Sequence, residues 1–183
     1  PSSAQIVAQA DCVVAIGTEL AEVDLWRAHL GHSCPLYRID IDPECLADMQ
    51  RAEMAILARA EEAMASLRPL MAASASQWQA RSVAHQRGLW RAETEAERPG
   101  IIAIVEALRA VVPDDAMIYS DMTQFAYVAN EVWPMTRAKH WHHPSGFGTL
   151  GYALPAALGG AVSRPGKPTL AIAGDYGFQY SVQ

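Results

Sequence analysis

One stretch, from Ser145 to Gly177, leaves this chain few folds to choose from. A glycine-rich turn (Gly146, Gly148, Gly151) leads into a helix-like run of small residues from Ala153 to Val162. After a turn at Arg164-Pro165-Gly166-Lys167-Pro168 comes a strand-like Thr169-Leu170-Ala171-Ile172-Ala173, and then Gly174-Asp175-Tyr176-Gly177. Turn, helix, strand and a carboxylate on a tight turn are the parts of an open α/β sheet, in which ligands bind outside the carboxyl ends of the strands. Asp175 is predicted to stand at such an end. The glycines beside it let a ligand approach the backbone closely, and its carboxylate suits a hard cation.

The rest of the chain supplies further pieces of the same kind. Ala10 to Leu20 reads as a short buried strand ending in a glycine turn, with Cys12 as a small core residue, and Leu36–Ile41 as a second strand closed by Asp42-Pro43. Met54–Leu57 is a weaker strand, and Ala60 to Arg68 a helix that stops at Pro69. Near-continuous apolar strands separated by helices imply a parallel sheet covered on both faces. Asp40 and Asp42 fit a turn and a helix cap. The polar stretch from Ser74 to Arg98 is helix-permissive, with Trp78 and Trp90 as packing anchors. A further domain opens near Ile101, with a helix over Ile101–Leu108, a strand at Met117–Ser120, a loop over Asp121–Phe125 and a helix from Ala126 to Val132. The expected architecture is α/β: two open parallel-sheet, doubly wound domains, both incomplete, joined by a helical connector. Their expected bounds are 1–73, a connector at 74–99, and 100–183.

Composition excludes several classes of function. Half of the residues are apolar (51%) and the formal net charge is −6 without a basic run, so the chain should fold and has no nucleic-acid footprint. No stretch is apolar for long enough to span a bilayer, and Pro1-Ser2-Ser3-Ala4-Gln5 lacks the character of a signal peptide. Cys12, Cys34 and Cys45 include no CxxC pair and read as free thiols in a reducing cytoplasm. His140, His142 and His143 lack the carboxylate or thiolate companions and helical spacing of a dedicated zinc site. They fit a loop near an active site, where a substrate-facing role for one of them stays open.

The runs Gly148-Thr149-Leu150-Gly151-Tyr152-Ala153-Leu154-Pro155-Ala156-Ala157 and Gly174-Asp175-Tyr176-Gly177-Phe178 resemble the diphosphate-binding domain of thiamine-diphosphate enzymes. The nearest group is that of acetolactate synthases and 2-oxo acid decarboxylases. The first part of the chain resembles the later part of that family's middle domain, which holds FAD in some relatives; nothing in these residues selects FAD. The resemblance implies thiamine diphosphate and Mg²⁺ as cofactors, with Asp175 as the metal ligand. It assigns cofactor contacts to Thr123, Gln124, Gly148, Thr149, Leu150, Gly174, Asp175, Tyr176 and Gly177. The Gly148 carbonyl would accept from the pyrimidine amine, and Leu150 would hold the cofactor bent. The substrate would be a small 2-oxo acid, with 5-guanidino-2-oxopentanoate as one candidate, and the assembly a homodimer or homotetramer.

Two departures from the family pattern are visible. Phe125 replaces a polar residue that some synthases carry, and Tyr176 replaces a glycine, which implies either a reshaped loop or a shifted register. The magnesium site's partner asparagine and the activating glutamate are expected outside these residues, as in an internal part of a longer enzyme. The 183 residues alone are then expected to show negligible decarboxylase activity, weak cofactor binding and self-association. Two other classes stay open. One is a non-catalytic binding or assembly module. The other is a dinucleotide-dependent oxidoreductase, since Gly146-x-Gly148-x-x-Gly151 fits that fingerprint although His140–Pro144 is a poor strand to precede it.

Overall fold

The structure, a computed structural model, describes residues 2–73 and 78–183. Pro1 and residues 74–77, the start of the expected connector, lie outside the described residues. The chain divides at the 77/78 boundary into two compact units. The first contains α1 (Ser2–Ala8), β1 (Val13–Ile16), α2 (Glu22–Leu25), β2 (Leu36–Asp40), α3 (Pro43–Leu46), β3 (Met54–Leu57) and α4 (Ala60–Leu67), which tightens into a 3₁₀ turn at Arg68–Leu70 around Pro69. Its strands form a parallel sheet in the order β1-β2-β3. Asp42 caps α3 by accepting from the Glu44 N–H at 2.9 Å, with Pro43 in the first helical turn.

Leu36 and Ile39 of β2 are buried, and Ala15, Leu30 and Leu36 form a small apolar cluster. Cover on both faces, which the apolar runs suggest, is confined to the central strand: Leu36 and Ile39 lie on opposite faces of β2 and both are buried, whereas Val14, Met54 and Leu57 on the edge strands β1 and β3 are exposed. Cys12 is likewise exposed just ahead of β1 rather than part of the core. What fixes this unit instead is a polar group in its middle. Arg38, only 1% exposed, pairs with Asp48 and donates to the Thr18 carbonyl at 2.6 Å, tying β2 to the turn after β1. Asp48 also accepts the Gln50 N–H at 2.9 Å, and the Gln50 amide bridges Leu30 N–H and Ala28 O.

The second unit contains α5 (Ala80–Glu97), α6 (Ile101–Val111), β4 (Met117–Ser120), α7 (Gln124–Val132), β5 (Trp141–His142), α8 (Ala153–Ser163), β6 (Thr169–Ile172) and α9 (Asp175–Gln179). Helix α5 packs on α6 and α7, where the Thr94 hydroxyl donates to Glu131 at 2.6 Å. The parallel sheet has the order β5-β4-β6, so the chain leaves β5, passes over β4 as α8 and returns on its other side. Successive strand residues point to opposite faces. Tyr119 therefore meets α8, where a Cβ on Gly160 would lie 2.5 Å from its Oη, while Ser120 meets Trp141, which packs on the α6–α7 cluster of Ile102, Val105, Val128 and Ala129.

Two local expectations need correction. Trp141 and His142 do form a strand, held against β4 by the stacking of His142 on Tyr119 and by the bond from Trp141 to Ser120. The Gly174–Gly177 segment is not a plain turn. It opens the short helix α9, in which Phe178 N–H donates to Gly174 O at 2.9 Å.

Removing one partner from a buried ion pair leaves the other uncompensated. Arg38→Met should therefore destabilise the first unit by about 2–3 kcal/mol, discounted because Asp48 is partly exposed. Urea unfolding of the variant against wild type measures this, and an unchanged midpoint would contradict the pinning role given to Arg38.

Candidate functional site

The three segments singled out in the sequence meet at one edge of the second sheet. β4 and β6 are paired in register, Ser120 opposite Ile172, and the Asp121 N–H donates to Ile172 O at 2.8 Å. The loops leaving both strands therefore emerge side by side at their carboxyl ends. The crossover from β5 to β6 makes the β4/β6 crevice the switch point of this sheet, the place where such folds bind ligands.

After β4, Thr123 caps α7: its Oγ1 accepts the Ala126 N–H at 3.0 Å. The capping bond uses the hydroxyl as an acceptor and leaves its O–H to donate outward. The N–H groups of Gln124 and Phe125 have no hydrogen-bond partner among the described residues, so the α7 N-terminus keeps free donors and the positive end of its dipole. The Gln124 side chain is less available, since its Oε1 accepts from Arg98 Nε at 3.0 Å.

After β6, Gly174 precedes α9, and a Cβ built there would meet only the Thr123 methyl at 3.8 Å. Thr123 and the start of α9 are thus neighbours, with open space beside Gly174. Asp175 is exposed in the first turn of α9, and no hydrogen bond or ion pair engages its carboxylate among the described residues. Tyr176 is an exposed helical residue without positive φ, so the helix accommodates it where a left-handed turn would not. Gly177 is buried against the Asp121 carboxylate.

The glycine turn is the third segment. Gly148 adopts φ +60° and its α-carbon faces Met122 of the β4 loop, 3.6 Å from a built Cβ to the methionine methyl. Gly151, at φ +81°, fits against α9 so closely that a Cβ would fall 2.9 Å from Tyr180 Cβ and 2.8 Å from Ser181 Oγ. Thr149 is exposed and Leu150 is 44% exposed. All nine residues named from the sequence therefore lie on these three adjoining segments.

Asp121 is the residue that the sequence did not single out. Its carboxylate is completely buried, Oδ1 accepting the Ala153 N–H at 2.7 Å and Oδ2 the Gly151 N–H at 3.0 Å. An acidic residue closing an apolar strand just ahead of a helix cap was the available signal. These bonds also bear on dinucleotide binding. That fingerprint needs free N–H groups at the helix after the glycines, and at α8 an internal carboxylate already takes the first of them, that of Ala153.

The histidines part company. His140 Nδ1 lies 2.8 Å from Ala138 O, and His142 Nε2 lies 3.1 Å from Met117 Sδ. His143 sits beside the site, its Nδ1 2.9 Å from the buried Ser120 Oγ. Trp141 Nε1 donates to the same oxygen at 3.0 Å, and the Ser120 O–H has two acceptors in reach, His143 Nδ1 and, at 3.5 Å, His142 O. Desolvation pushes the His143 pKa below its ordinary value and outweighs a hydrogen bond with the Ser120 backbone and the attraction of nearby Asp121, both of which act to raise it. Since the folded state disfavours the charged ring, stability is complete above the unfolded pKa of about 6.5 and is lost as the pH falls through the lowered folded value. An NMR titration should give His143 a midpoint below about 6.5; a midpoint at or above it would contradict this environment.

Comparison with known proteins agrees with this edge. Residues 121–183 match the family model described as thiamine pyrophosphate enzyme, C-terminal TPP binding domain. Over 181 residues the chain is 38% identical to "Probable 2-ketoarginine decarboxylase AruI" of Pseudomonas aeruginosa, covering 98% of this chain and 32% of that protein. It is 27% identical over 195 residues to acetolactate synthase isozyme 1 large subunit of Escherichia coli, covering 100% and 33%. Sulfoacetaldehyde acetyltransferase of Rhodobacter capsulatus is 26% identical over 211 residues, covering 97% and 35%. The chain thus spans about a third of the length of the curated relatives it matches. The matched segment begins at the buried Asp121 and takes in the cap of α7, the glycine turn and α9, and on this ground residues 121–183 belong to the C-terminal TPP-binding domain of the thiamine pyrophosphate enzymes.

Proposed function

We propose that this chain contributes the diphosphate-binding side of a thiamine-diphosphate- and Mg²⁺-dependent enzyme that decarboxylates a 2-oxo acid or ligates the resulting carbanion. The observation that carries this is the meeting, at one sheet edge, of a helix N-terminus with free N–H groups, an open glycine position and an unengaged carboxylate. These residues fit the cofactor. The Gln124 and Phe125 N–H groups and the Thr123 hydroxyl are donors for diphosphate oxygens. Asp175 is a single exposed carboxylate, and among the described residues no three His, Cys, Asp or Glu side chains group as a metal site. One carboxylate completed by phosphate and water oxygens is how Mg²⁺ is commonly held.

Thiamine diphosphate, when bound, supplies the electron sink that stabilises a carbanion. The chain's own work is binding and placement. Asp175 would hold the cation that offsets the diphosphate charge, Gly174 and Gly177 would keep the backbone low beneath it, and Thr149 and Tyr176 would border it. The Gly148 carbonyl would accept from the cofactor's amine, and Leu150 would shape the bound conformation through apolar contact. His143, beside the site and hydrogen-bonded to Ser120, is the histidine we assign to the substrate side. The substrate we favour is a 2-oxo acid of the kind suggested by the name of the Pseudomonas relative, 5-guanidino-2-oxopentanoate; acetolactate-type chemistry is the other member of this class. We further propose a cytoplasmic homodimer or homotetramer, in keeping with three free cysteines and with a described chain in which no helix is long and apolar enough to cross a membrane.

Titration of the ¹⁵N-labelled chain with Mg²⁺ and thiamine diphosphate should shift the amides of Thr123, Gln124, Gly148, Gly174 and Gly177. Asp175→Ala should weaken the Mg²⁺-dependent binding by about ten- to a hundredfold, the loss expected for a contact to a charged group. Shifts confined to the α8 N-terminus, or full affinity in the variant, would refute this assignment of the cofactor.

A further inference from the structure

We propose that Asp121 is a positioning residue that sets the glycine turn at a fixed distance from the helix carrying Asp175. The consequence for cofactor binding rests on the function proposed above; the mechanical link does not. Being completely buried, Asp121 cannot itself reach a ligand at the surface. Its two oxygens instead hold two points of the second segment, Gly151 N–H through Oδ2 and Ala153 N–H through Oδ1. The same Oδ2 lies directly against Gly177, where a Cβ would come inside the 3.0 Å that real Cβ contacts do not breach. One carboxylate thus touches both the glycine turn and α9.

The contact is closed from the far side as well. Ser181, just beyond α9, donates through its hydroxyl to Gly151 O at 2.6 Å, and Tyr180 packs on the Gly151 α-carbon. Gly151 therefore has its N–H fixed by Asp121 and its carbonyl fixed by Ser181. Asp121 is in turn fixed to the sheet through its N–H bond to Ile172 O. The result is a ring of short contacts, from residue 121 to 151, on to 181 and back through 177 to 121. Within it, a movement of the carboxylate displaces the glycine turn and α9 together. The exposed groups carried on this ring are Leu150 and Asp175, while Thr123 follows Asp121 by two residues. Spacing among them is what a diphosphate and its cation would read.

Asp121→Asn keeps the volume but turns one oxygen into an N–H₂ donor facing a backbone N–H, so one of the two bonds is lost. Amide hydrogen exchange of the full chain reads the effect without any cofactor. Gly151 and Ala153 should exchange about tenfold faster, the scale of one hydrogen bond. The Phe178 and Ser181 amides, bonded at the two ends of α9 to Gly174 O and Phe178 O, should accelerate with them, while β4 amides stay as in wild type. Acceleration limited to Gly151 and Ala153 would overturn the proposal, as it would make Asp121 a local cap. Uniform acceleration throughout the second unit would also overturn it, as general destabilisation. Gly177→Ala tests the link from the other end: its methyl displaces Oδ2, and the Ala153 amide should accelerate although Oδ1 is what holds it. If neither variant folds, Ser181→Ala, which removes only the hydroxyl on Gly151 O, should speed exchange at Gly151 and Ala153, and no change there would count against the ring. In a parallel titration, Asp121→Asn should bind Mg²⁺-thiamine diphosphate about tenfold more weakly than wild type. Equal affinity with altered exchange would overturn the positioning role, whereas failure of wild type to bind at all would refute the proposed function and leave exchange to decide the mechanical link.

Discussion

A carboxylate taken out of water is costly unless its oxygens find strong donors, and at Asp121 those donors come from one place, the start of α8. The Ala153 N–H is among the orphans that any helix leaves at its N-terminus, Gly151 stands just ahead of that helix, and the helix dipole favours negative charge there. Two groups that would each be unfavourable alone thus satisfy each other inside the protein. The rest of the second unit is arranged around that pairing. It fixes the direction in which α8 leaves the glycine turn, and it sets the floor under Gly177. It also takes the first N–H of α8 away from any external anion. The α7 N-terminus and the Asp175 carboxylate stay open at this sheet edge.

Close approach is the second constraint, and it explains why small residues collect in this part of the chain. Gly160 lets α8 lie directly on the Tyr119 ring, and a methyl there would overlap Oη, Cε2 and Cζ. Gly177 is small because Asp121 lies beneath it. Gly151 combines crowding by Tyr180 and Ser181 with a backbone at φ +81°, which side-chain-bearing residues rarely adopt. Three glycines thus answer to three different neighbours. By contrast, nothing crowds the α-carbons of Gly146 and Gly159.

The first unit solves the same problem of a small sheet by other means. Its apolar cluster is modest, and its central strand carries a buried arginine whose charge is balanced by Asp48 and whose Nη2 donates to the Thr18 carbonyl. Gln50 extends the network to Ala28 and Leu30. Polar bonds here join the loops around β2, where in the second unit apolar packing of α6, α7 and Trp141 holds the core.

The order of strands and helices was legible in the sequence because it is written locally. Apolar runs at Leu36–Asp40, Met117–Ser120 and Thr169–Ile172 became parallel strands, and Pro113, Gly100 and the 164–168 turn bound the elements beside them. The nine candidate residues could be named for the same reason, since each belongs to a short contiguous motif. Errors came where a residue's state depends on partners far away in the chain. Cys12 looks like core in its apolar run, but it is exposed, with no element among the described residues covering it. Trp141-His142 lacks the length of a strand and becomes one only because Tyr119 and Ser120, more than twenty residues earlier, receive its side chains. Asp121 reads as one more loop acid until the fold brings the Gly151 and Ala153 N–H groups, 30 and 32 residues later, onto its oxygens. Local sequence thus determined which elements form and which groups stand at their ends. Only the tertiary structure decided which of two nearby carboxylates, Asp121 or Asp175, is consumed inside the protein and which stays free at the surface, because burial and hydrogen-bond satisfaction depend on segments that meet only after folding.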